Sequence, residues 1–193
     1  MARSLGSPGR MAGRAGVMEA RRPYLVSARA FDRTIIFGNT ASGKSWLSHR
    51  LGQKLAAPVV DLDLIRWVSG DYSGKETVQT AIAKTVAQAQ GDRWIIEGVY
   101  GWLITPILAH ATCVIWTDIP WVQSRENLLA RETARGSSGN FAELEAWSGD
   151  YWTRQSASCY AAHLEIFEGF TGPKFRLSDM SETSGFTARV ANL

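Results

Sequence analysis

The chain has 193 residues, 45% of them hydrophobic and 20% charged, which is enough for one globular domain with a sizeable core. Its uninterrupted apolar runs are only a few residues long, which excludes a membrane-crossing helix. Its two cysteines, Cys113 and Cys159, exclude a disulfide scaffold and fit a reducing compartment, so we expect a soluble cytoplasmic protein.

Most of the positive charge lies in residues 1–30, which contain six arginines and one acid, Glu19. This segment is rich in Arg, Ala, Gly and Ser and has no sustained apolar period, so it predicts a disordered tail before a domain over residues 31–193. Three origins of the tail remain open: a translation start placed too early, with Met11 and Met18 as internal alternatives, a flexible arm, or an Arg-rich transit peptide.

The predicted domain itself is slightly acidic. Residues 31–193 contain 15 basic and 17 acidic side chains, so the basic character of the chain belongs to the tail. Nucleic acid binding depends on a clustered positive surface. This balance therefore argues against a nucleic acid partner for the domain, and it predicts no particular oligomeric state.

From Arg33 onward, short β-branched runs alternate with segments of helical periodicity. Strands are predicted over 34–37, 58–62, 94–97, 113–117 and 174–177. Helices are predicted over 46–56, along an apolar stripe of Val78, Ile82 and Val86, over 121–135, and with an interruption over 141–167. Alternating strands and helices imply parallel crossovers, so we predict a three-layer α/β/α domain with about five parallel strands.

A glycine-rich motif, G-x-x-x-x-G-K-[ST], stands between the first predicted strand and the first predicted helix. Its eight residues are Gly38, Asn39, Thr40, Ala41, Ser42, Gly43, Lys44 and Ser45. The backbone N–H groups of such a loop and the helix N-terminus after it point at phosphates. Lys44 would bring positive charge to the β and γ phosphates, and the Ser45 hydroxyl would ligate magnesium. The motif therefore predicts a site for ATP and Mg²⁺.

Carboxylates follow three of the predicted strands: Asp61 with Asp63, then Glu97, then Asp118. Ligands of α/β sheets bind outside the carboxyl ends of the strands, and the spacing of Asp61 and Asp63 puts them on one face of an extended segment. A kinase uses such carboxylates to hold magnesium and to orient an acceptor hydroxyl. The alternative interpretation is that each acid caps a helix, a common function of Asp at such junctions.

Three arginines, Arg125, Arg131 and Arg135, fall on the helix predicted over 121–135, and the last two share a face. The helix runs into a Gly- and Ser-rich segment at 136–140, a composition typical of a mobile linker. Arginines beside a mobile lid can neutralise charge on a transferring phosphoryl group. The alternative is an ordinary solvated helix face.

Four segments form a recognisable set: the glycine-rich motif, Asp61-Leu62-Asp63 with Trp67, W-I-I-E-G-V-Y at 94–100, and V-I-W-T-D-I-P at 114–120. The set resembles the adenylate-kinase-like branch of P-loop kinases. Within that branch it is most similar to the bacterial proteins called adenylate-kinase-related or DNA topology modulation proteins. The resemblance spans roughly residues 33–178 and implies ATP-dependent phosphoryl transfer.

The resemblance also implies roles for residues on the acceptor side. Residues 63–66 are similar to the D-M-L-R segment of adenylate kinases, which implies that Arg66 contacts the acceptor. Asp61 and Asp63 are equally similar to the D-x-D of shikimate-type kinases, where the acids face Mg²⁺ and the acceptor hydroxyl. Glu97 with the following glycine resembles the D-G of adenylate kinases, but this chain has Val-Tyr-Gly at 99–101 where that family continues to an arginine.

We therefore expect a kinase that moves the γ-phosphoryl group of ATP to a small acceptor: a nucleoside, a nucleotide or a hydroxyl metabolite. The expected catalytic residues are Lys44, Asp61, Arg131 and Arg135. The expected acceptor-binding residues are Asp63, Arg66, Glu97 and Arg125, and the expected magnesium ligands are Ser45 and Asp61. Two alternatives remain open: a regulatory ATPase of the topology modulation type and a non-catalytic nucleotide-binding module.

Overall fold

The computed structural model of the chain describes residues 27–68, 74–136 and 141–190. The tail predicted over residues 1–30 therefore lies outside the described residues except for its last four. These begin a 3-10 turn, Ala28–Phe31, whose Phe31 is buried in the core. The linker predicted at 136–140 also lies outside the described residues, apart from Gly136.

Five strands and eight α-helices alternate along the described residues. The strands are β1 (Arg33–Gly38), β2 (Val59–Asp61), β3 (Trp94–Gly98), β4 (Cys113–Thr117) and β5 (Lys174–Leu177). The helices are α1 (Lys44–Leu55), α2 (Leu62–Arg66), α3 (Val78–Gln88), α4 (Gly101–Ile104), α5 (Trp121–Arg135), α6 (Phe141–Gly149), α7 (Tyr160–Gly169) and α8 (Met180–Val190). None of these helices has the length and apolar character needed to span a bilayer.

The five strands form one parallel sheet in the order β2-β3-β1-β4-β5, with β1 at its centre. The pairing aligns the carboxyl ends of four strands: Gly38 pairs with Thr117, and Asp61 pairs with Glu97. The glycine-rich loop and the predicted carboxylates therefore meet at one edge of the sheet. The predicted three-layer α/β/α fold is confirmed.

Each face of the sheet carries its own layer of core residues because side chains alternate along a strand. Ile35 and Phe37 of β1 pack with residues of α3, α4 and α7 on one face, whereas Ile36 packs with residues of α1 and α8 on the other. Trp94 and Trp116 are both fully buried in the first layer, as expected from their place in the strands.

The apolar stripe predicted on α3 is wrong at its first residue. Val78 is 48% exposed, and the helix instead buries Ala81 and Thr85 completely, with Ile82 and Val86 at the margins of the contact. Small side chains let α3 lie close to α2 and α4. The Thr85 hydroxyl donates to the Ala81 carbonyl at 2.8 Å, which satisfies it inside the core.

The interruption predicted within 141–167 lies between α6 and α7. The chain forms the 3-10 turn Asp150–Trp152 after α6, and α7 then begins after Cys159, whose sulfur accepts a hydrogen bond from Ala162 N. This break places Tyr151 in the core at the end of β4.

We expect Gly101→Ala to destabilise the fold by about 1–3 kcal/mol, because a Cβ there would clash with the backbone carbonyl oxygen of Ala157. Gly185→Ala is the matched control, since a Cβ at this position in α8 meets nothing within 4 Å and alanine favours the helix. Urea unfolding measures both. Equal or higher midpoints for Gly101→Ala than for the wild type would contradict the packing described.

Candidate active site

The loop between β1 and α1 turns sharply so that the N-terminus of α1 opens at the carboxyl edge of the sheet. Gly38 and Gly43 have φ angles of 153° and 87°, which L side chains rarely adopt. A Cβ on Gly38 would also clash with the backbone oxygen of Thr117. The first turn of α1 contains no acidic residue, and no side chain caps it, so its N–H groups present a positive end toward an anion.

Two of the predicted phosphate-binding residues hold the loop in place with their side chains. The Asn39 amide donates to the carbonyl oxygen of Ser148 on α6 at 2.8 Å. The Ser42 hydroxyl donates to the Asn39 carbonyl at 2.8 Å, and it lies 2.6 Å from the hydroxyl of Thr117. Both side chains are buried in these contacts, so they hold the loop in place from within the protein.

Helix α5 is tied across the same loop by a residue that the sequence did not single out. The Asn127 amide donates to the Ala41 carbonyl at 3.2 Å and contacts the sulfur of Met180 at 3.6 Å. A polar residue within an amphipathic helix carries no signal of such a contact in sequence. As a consequence, α5, which carries Arg131, has a defined position relative to residues 38–45, which we call the phosphate loop.

Lys44 lies at the centre of the charged residues at this edge. It is 8% exposed, and its ammonium group donates to the Asn39 carbonyl at 2.7 Å. Burial lowers the pKa of Lys44, and the nearby carboxylates oppose that shift. The charged side chains that act on it are Glu97, Asp63, Asp61 and Arg131. Three predicted carboxylates and one predicted arginine therefore lie within electrostatic range of the predicted phosphate-binding lysine.

Glu97, at the carboxyl end of β3, is 3% exposed. Burial raises the pKa of Glu97 from 4.5 to about 7, while Lys44 and a hydrogen bond with Ser45 favour the charged form. The negative charges of Asp61 and Asp63 add to the rise in this pKa. Glu97 is therefore an acid whose protonation changes near neutral pH and that contacts the predicted magnesium ligand Ser45.

Asp61 ends β2 and caps α2. Its Oδ1 accepts the backbone N–H of Asp63 at 2.8 Å, so the capping interpretation is correct for this residue. Burial raises the pKa of Asp61, and Lys44 and His49 act in the opposite direction. Capping and ligand binding are compatible, because a carboxylate has a second oxygen that can face the phosphate loop.

Asp63 belongs to a chain of hydrogen bonds that crosses from α2 to the loop after β3. The Tyr100 hydroxyl donates to Asp63 Oδ1 at 2.5 Å, and the Trp67 indole N–H donates to the Tyr100 oxygen at 3.0 Å. Sequence reasoning included Tyr100 in a motif but gave it no role. A partner 37 positions away along the chain leaves no local pattern that could have shown it.

The predicted arginines lie in different surroundings. Arg66 donates to the carbonyl oxygen of Glu76, and its guanidinium lies over the Trp102 ring at 5.5 Å from the centroid. Arg125 on α5 pairs with Glu145 on α6, with 2.6 Å between Nε and Oε1. The side chain of Arg135 lies outside the described residues. Acceptor binding by Arg66 and Arg125 remains a prediction.

Asp118 follows β4 at the same edge but forms an ion pair with Arg176 of β5, with 2.8 Å between Arg176 Nε and Asp118 Oδ2. The Arg176 guanidinium also lies over the Trp116 ring, 4.6 Å from its centroid. This carboxylate therefore serves the packing of the last two strands.

Within the described residues, no group of three or more His, Cys, Asp or Glu side chains could hold a metal ion by itself. Magnesium is commonly held by one or two carboxylates together with substrate phosphates and water. The hydroxyl of Ser45, hydrogen-bonded to Glu97, and the carboxylate of Asp61 at the adjacent strand end form a donor set of that kind. These residues fit magnesium bound jointly with a nucleotide.

Three solved structures share this arrangement of strands and helices. A shikimate kinase from Acinetobacter baumannii in complex with shikimate is 9% identical, with a TM-score of 0.53, 85% of this chain covered and 94% of that one. A candidate kinase from Chloroflexus aurantiacus is 18% identical, with a TM-score of 0.52 and coverages of 84% and 98%. A gluconokinase from Sinorhizobium meliloti is 12% identical, with a TM-score of 0.50 and coverages of 84% and 95%.

The chain shares the fold of these solved structures. At these identities the likeness extends to the fold alone. By sequence, the chain matches no known protein family and no curated protein. The roles of individual residues therefore depend on the geometry of this site.

We expect the buried Glu97 to make folding stability depend on pH. The folded chain keeps this proton up to about pH 7, whereas the unfolded chain releases it near 4.5, so stability falls as pH rises between these values and is constant above. Glu97→Gln should remove about 2–3 kcal/mol of that fall between pH 4.5 and 8. Urea unfolding at both pH values measures it.

The control for this experiment is Glu143→Gln, which changes an exposed glutamate on α6 and should follow the wild type at both pH values. The account of Glu97 would be wrong if Glu97→Gln and the wild type lost equal stability over this range.

Proposed function

We propose that this protein is a kinase that transfers the γ-phosphoryl group of ATP, bound with Mg²⁺, to a hydroxyl group of a small molecule. One observation supports this most directly. Lys44 lies at the start of the helix that follows the phosphate loop. Burial lowers its pKa, and carboxylates from the ends of two neighbouring strands and from α2 oppose that shift. A cation for the phosphates and acids for metal and acceptor are thereby combined at one edge of the sheet.

In this proposal the N–H groups of residues 38–45 and the ammonium group of Lys44 bind the ATP phosphates. Ser45 and Asp61 would hold magnesium, which when bound supplies positive charge to the phosphate oxygens. Arg131 on α5 is proposed to stabilise charge on the phosphates, since its own charge lowers the pKa of Lys44. Arg135, one helical turn further along α5, is proposed to join it.

The transfer step forms a bond between the acceptor oxygen and the γ-phosphorus and breaks the bond from that phosphorus to the bridging oxygen. The bridging oxygen keeps the electron pair and leaves as part of ADP. Asp63 is proposed to orient the acceptor hydroxyl and to take its proton. Positioning and charge neutralisation are sufficient for this chemistry, so it needs no protein nucleophile.

We further propose that the chain belongs to the adenylate-kinase-like branch and works in the cytoplasm. The first point is supported by the convergence of its quoted motifs, 61–67 and 94–100, at this site through the Tyr100–Asp63 hydrogen bond. The second is supported by Cys113 and Cys159, which are both free and buried.

Calorimetric titration with magnesium ATP tests the nucleotide site. We expect Lys44→Ala to weaken binding about 10- to 100-fold, because hydrogen bonds to a charged group contribute about 1.5–3 kcal/mol. Lys54→Ala removes an exposed lysine near the end of the same helix and should bind like the wild type. Undetectable binding by the wild type would refute the proposal.

A phosphoryl-transfer screen over nucleosides, nucleoside monophosphates, sugars and small hydroxy acids tests the chemistry. Turnover by the wild type that Lys44→Ala lacks supports a kinase. If the two proteins gave equal turnover on every compound, the kinase assignment would fail. Tight nucleotide binding with no transfer at all would instead favour a non-catalytic binding module.

Arg131→Ala should lower kcat about 100-fold, because removing one donor that stabilises developing charge typically has an effect of this size. KM for ATP should change little. The comparison is Arg50→Ala, which removes an exposed arginine that lies over Trp46 on α1. Steady-state kinetics with the best acceptor from the screen measures both, and an unchanged kcat for Arg131→Ala contradicts its role.

A further inference from the structure

We infer that the acceptor is an uncharged molecule that presents hydroxyl groups, of the sugar, polyol or nucleoside kind, and not a phosphate ester or a carboxylic acid. This inference rests on the proposed kinase function and concerns the chemical class of the acceptor. The charges and hydrogen bonds around Asp63 support this assignment of the acceptor class.

Carboxylates outnumber cations among the charged groups that act on Lys44. Asp61, Asp63 and Glu97 all raise the pKa of Lys44, so all three lie close enough to act on the lysine that would hold the γ-phosphate. An acceptor must bring its hydroxyl to that same phosphate. A negatively charged acceptor would be repelled by these carboxylates at close range, whereas an uncharged one would not.

Two basic residues close to Asp63 and Trp67, Arg66 and Lys75, already contact aromatic rings. Arg66, the arginine nearest Asp63 in the chain, donates to the Glu76 carbonyl and lies over the Trp102 ring. Lys75 lies over the Trp67 ring, 5.1 Å from its centroid. Recognition of a phosphate or carboxylate typically uses an arginine that offers paired N–H donors to the ligand.

A groove lies beside Asp61, along the edge strand β2. Its volume is about 530 Å³, and its walls are largely apolar, formed by β2, α2 and α3. Lys84 is the basic residue in its lining, and its ammonium group pairs with the Glu76 carboxylate. Within the described residues, the lining of this groove therefore presents no lysine or arginine whose charge is unpaired.

The carboxylate of Asp63 is held by a neutral hydrogen-bond donor. Tyr100 donates to Asp63 Oδ1 at 2.5 Å and is itself held by the indole N–H of Trp67 at 3.0 Å. This relay fixes the carboxylate so that Oδ2 can accept a hydrogen bond from an acceptor hydroxyl. The group that orients Asp63 is a neutral phenol. It adds no positive charge for an anion, which makes Tyr100 a specificity-determining residue.

Matched pairs of acceptors that differ in one charged group test this inference. The pairs are adenosine with AMP, cytidine with CMP, and glucose with gluconate, each assayed for kcat/KM by ADP release from magnesium ATP. We expect the uncharged member to be preferred by 10-fold or more in every pair that is turned over. Preference for the charged member would overturn the inference.

Two variants of one residue make the test specific. Tyr100→Arg puts a cation beside Asp63 and should shift the preference at least 10-fold toward the charged member of the same pair. Tyr100→Phe keeps the ring and removes the hydroxyl, so it should lower kcat and leave the preference unchanged. An unchanged preference in Tyr100→Arg would overturn the role assigned to Tyr100.

The remaining outcomes separate this inference from the proposed function. If the wild type binds magnesium ATP in a Lys44-dependent way but turns over neither member of any pair, the assignment of the acceptor class is wrong and the nucleotide site stands. If it binds no nucleotide, the proposed function itself fails.

Discussion

Burial of a lysine ammonium group is the constraint on which the rest of this site depends. Removing the charge of Lys44 from water is unfavourable unless hydrogen bonds and opposite charges replace the lost hydration. The Asn39 carbonyl supplies the hydrogen bond, and the carboxylates Glu97, Asp63 and Asp61 supply the charge. Those groups come from separate parts of the chain, so the parallel register of β1, β2 and β3 is what makes the buried lysine possible.

The carboxylates are in turn constrained by one another. Glu97 is buried next to two acids, and burial and repulsion raise its pKa to about 7, against the effects of Lys44 and Ser45. A cation bound at the loop would relieve that repulsion, and so would a proton. The clustered carboxylates thus suit magnesium, and they disfavour an anion placed directly beside them.

The side chains around the loop divide into those that hold it and those that face a ligand. Asn39 and Ser42 bind α6 and β4, and Asn127 binds the loop from α5. The phosphate loop is consequently fixed by three neighbouring elements before any nucleotide binds, which lowers the ordering entropy that binding must overcome. Tyr100 does the same for Asp63 on the acceptor side.

The sequence by itself determined the parts of this protein that are encoded locally: the strands, from β-branched runs, the phosphate loop, from one contiguous motif, and the carboxylates at strand ends. The tertiary structure decided which side of α3 is buried, that Arg125 pairs with Glu145, and that Tyr100 holds Asp63. These depend on side chains that are 20 or more positions apart or on the fit between helices. Such contacts exist only after the chain has folded, because no short-range periodicity records them.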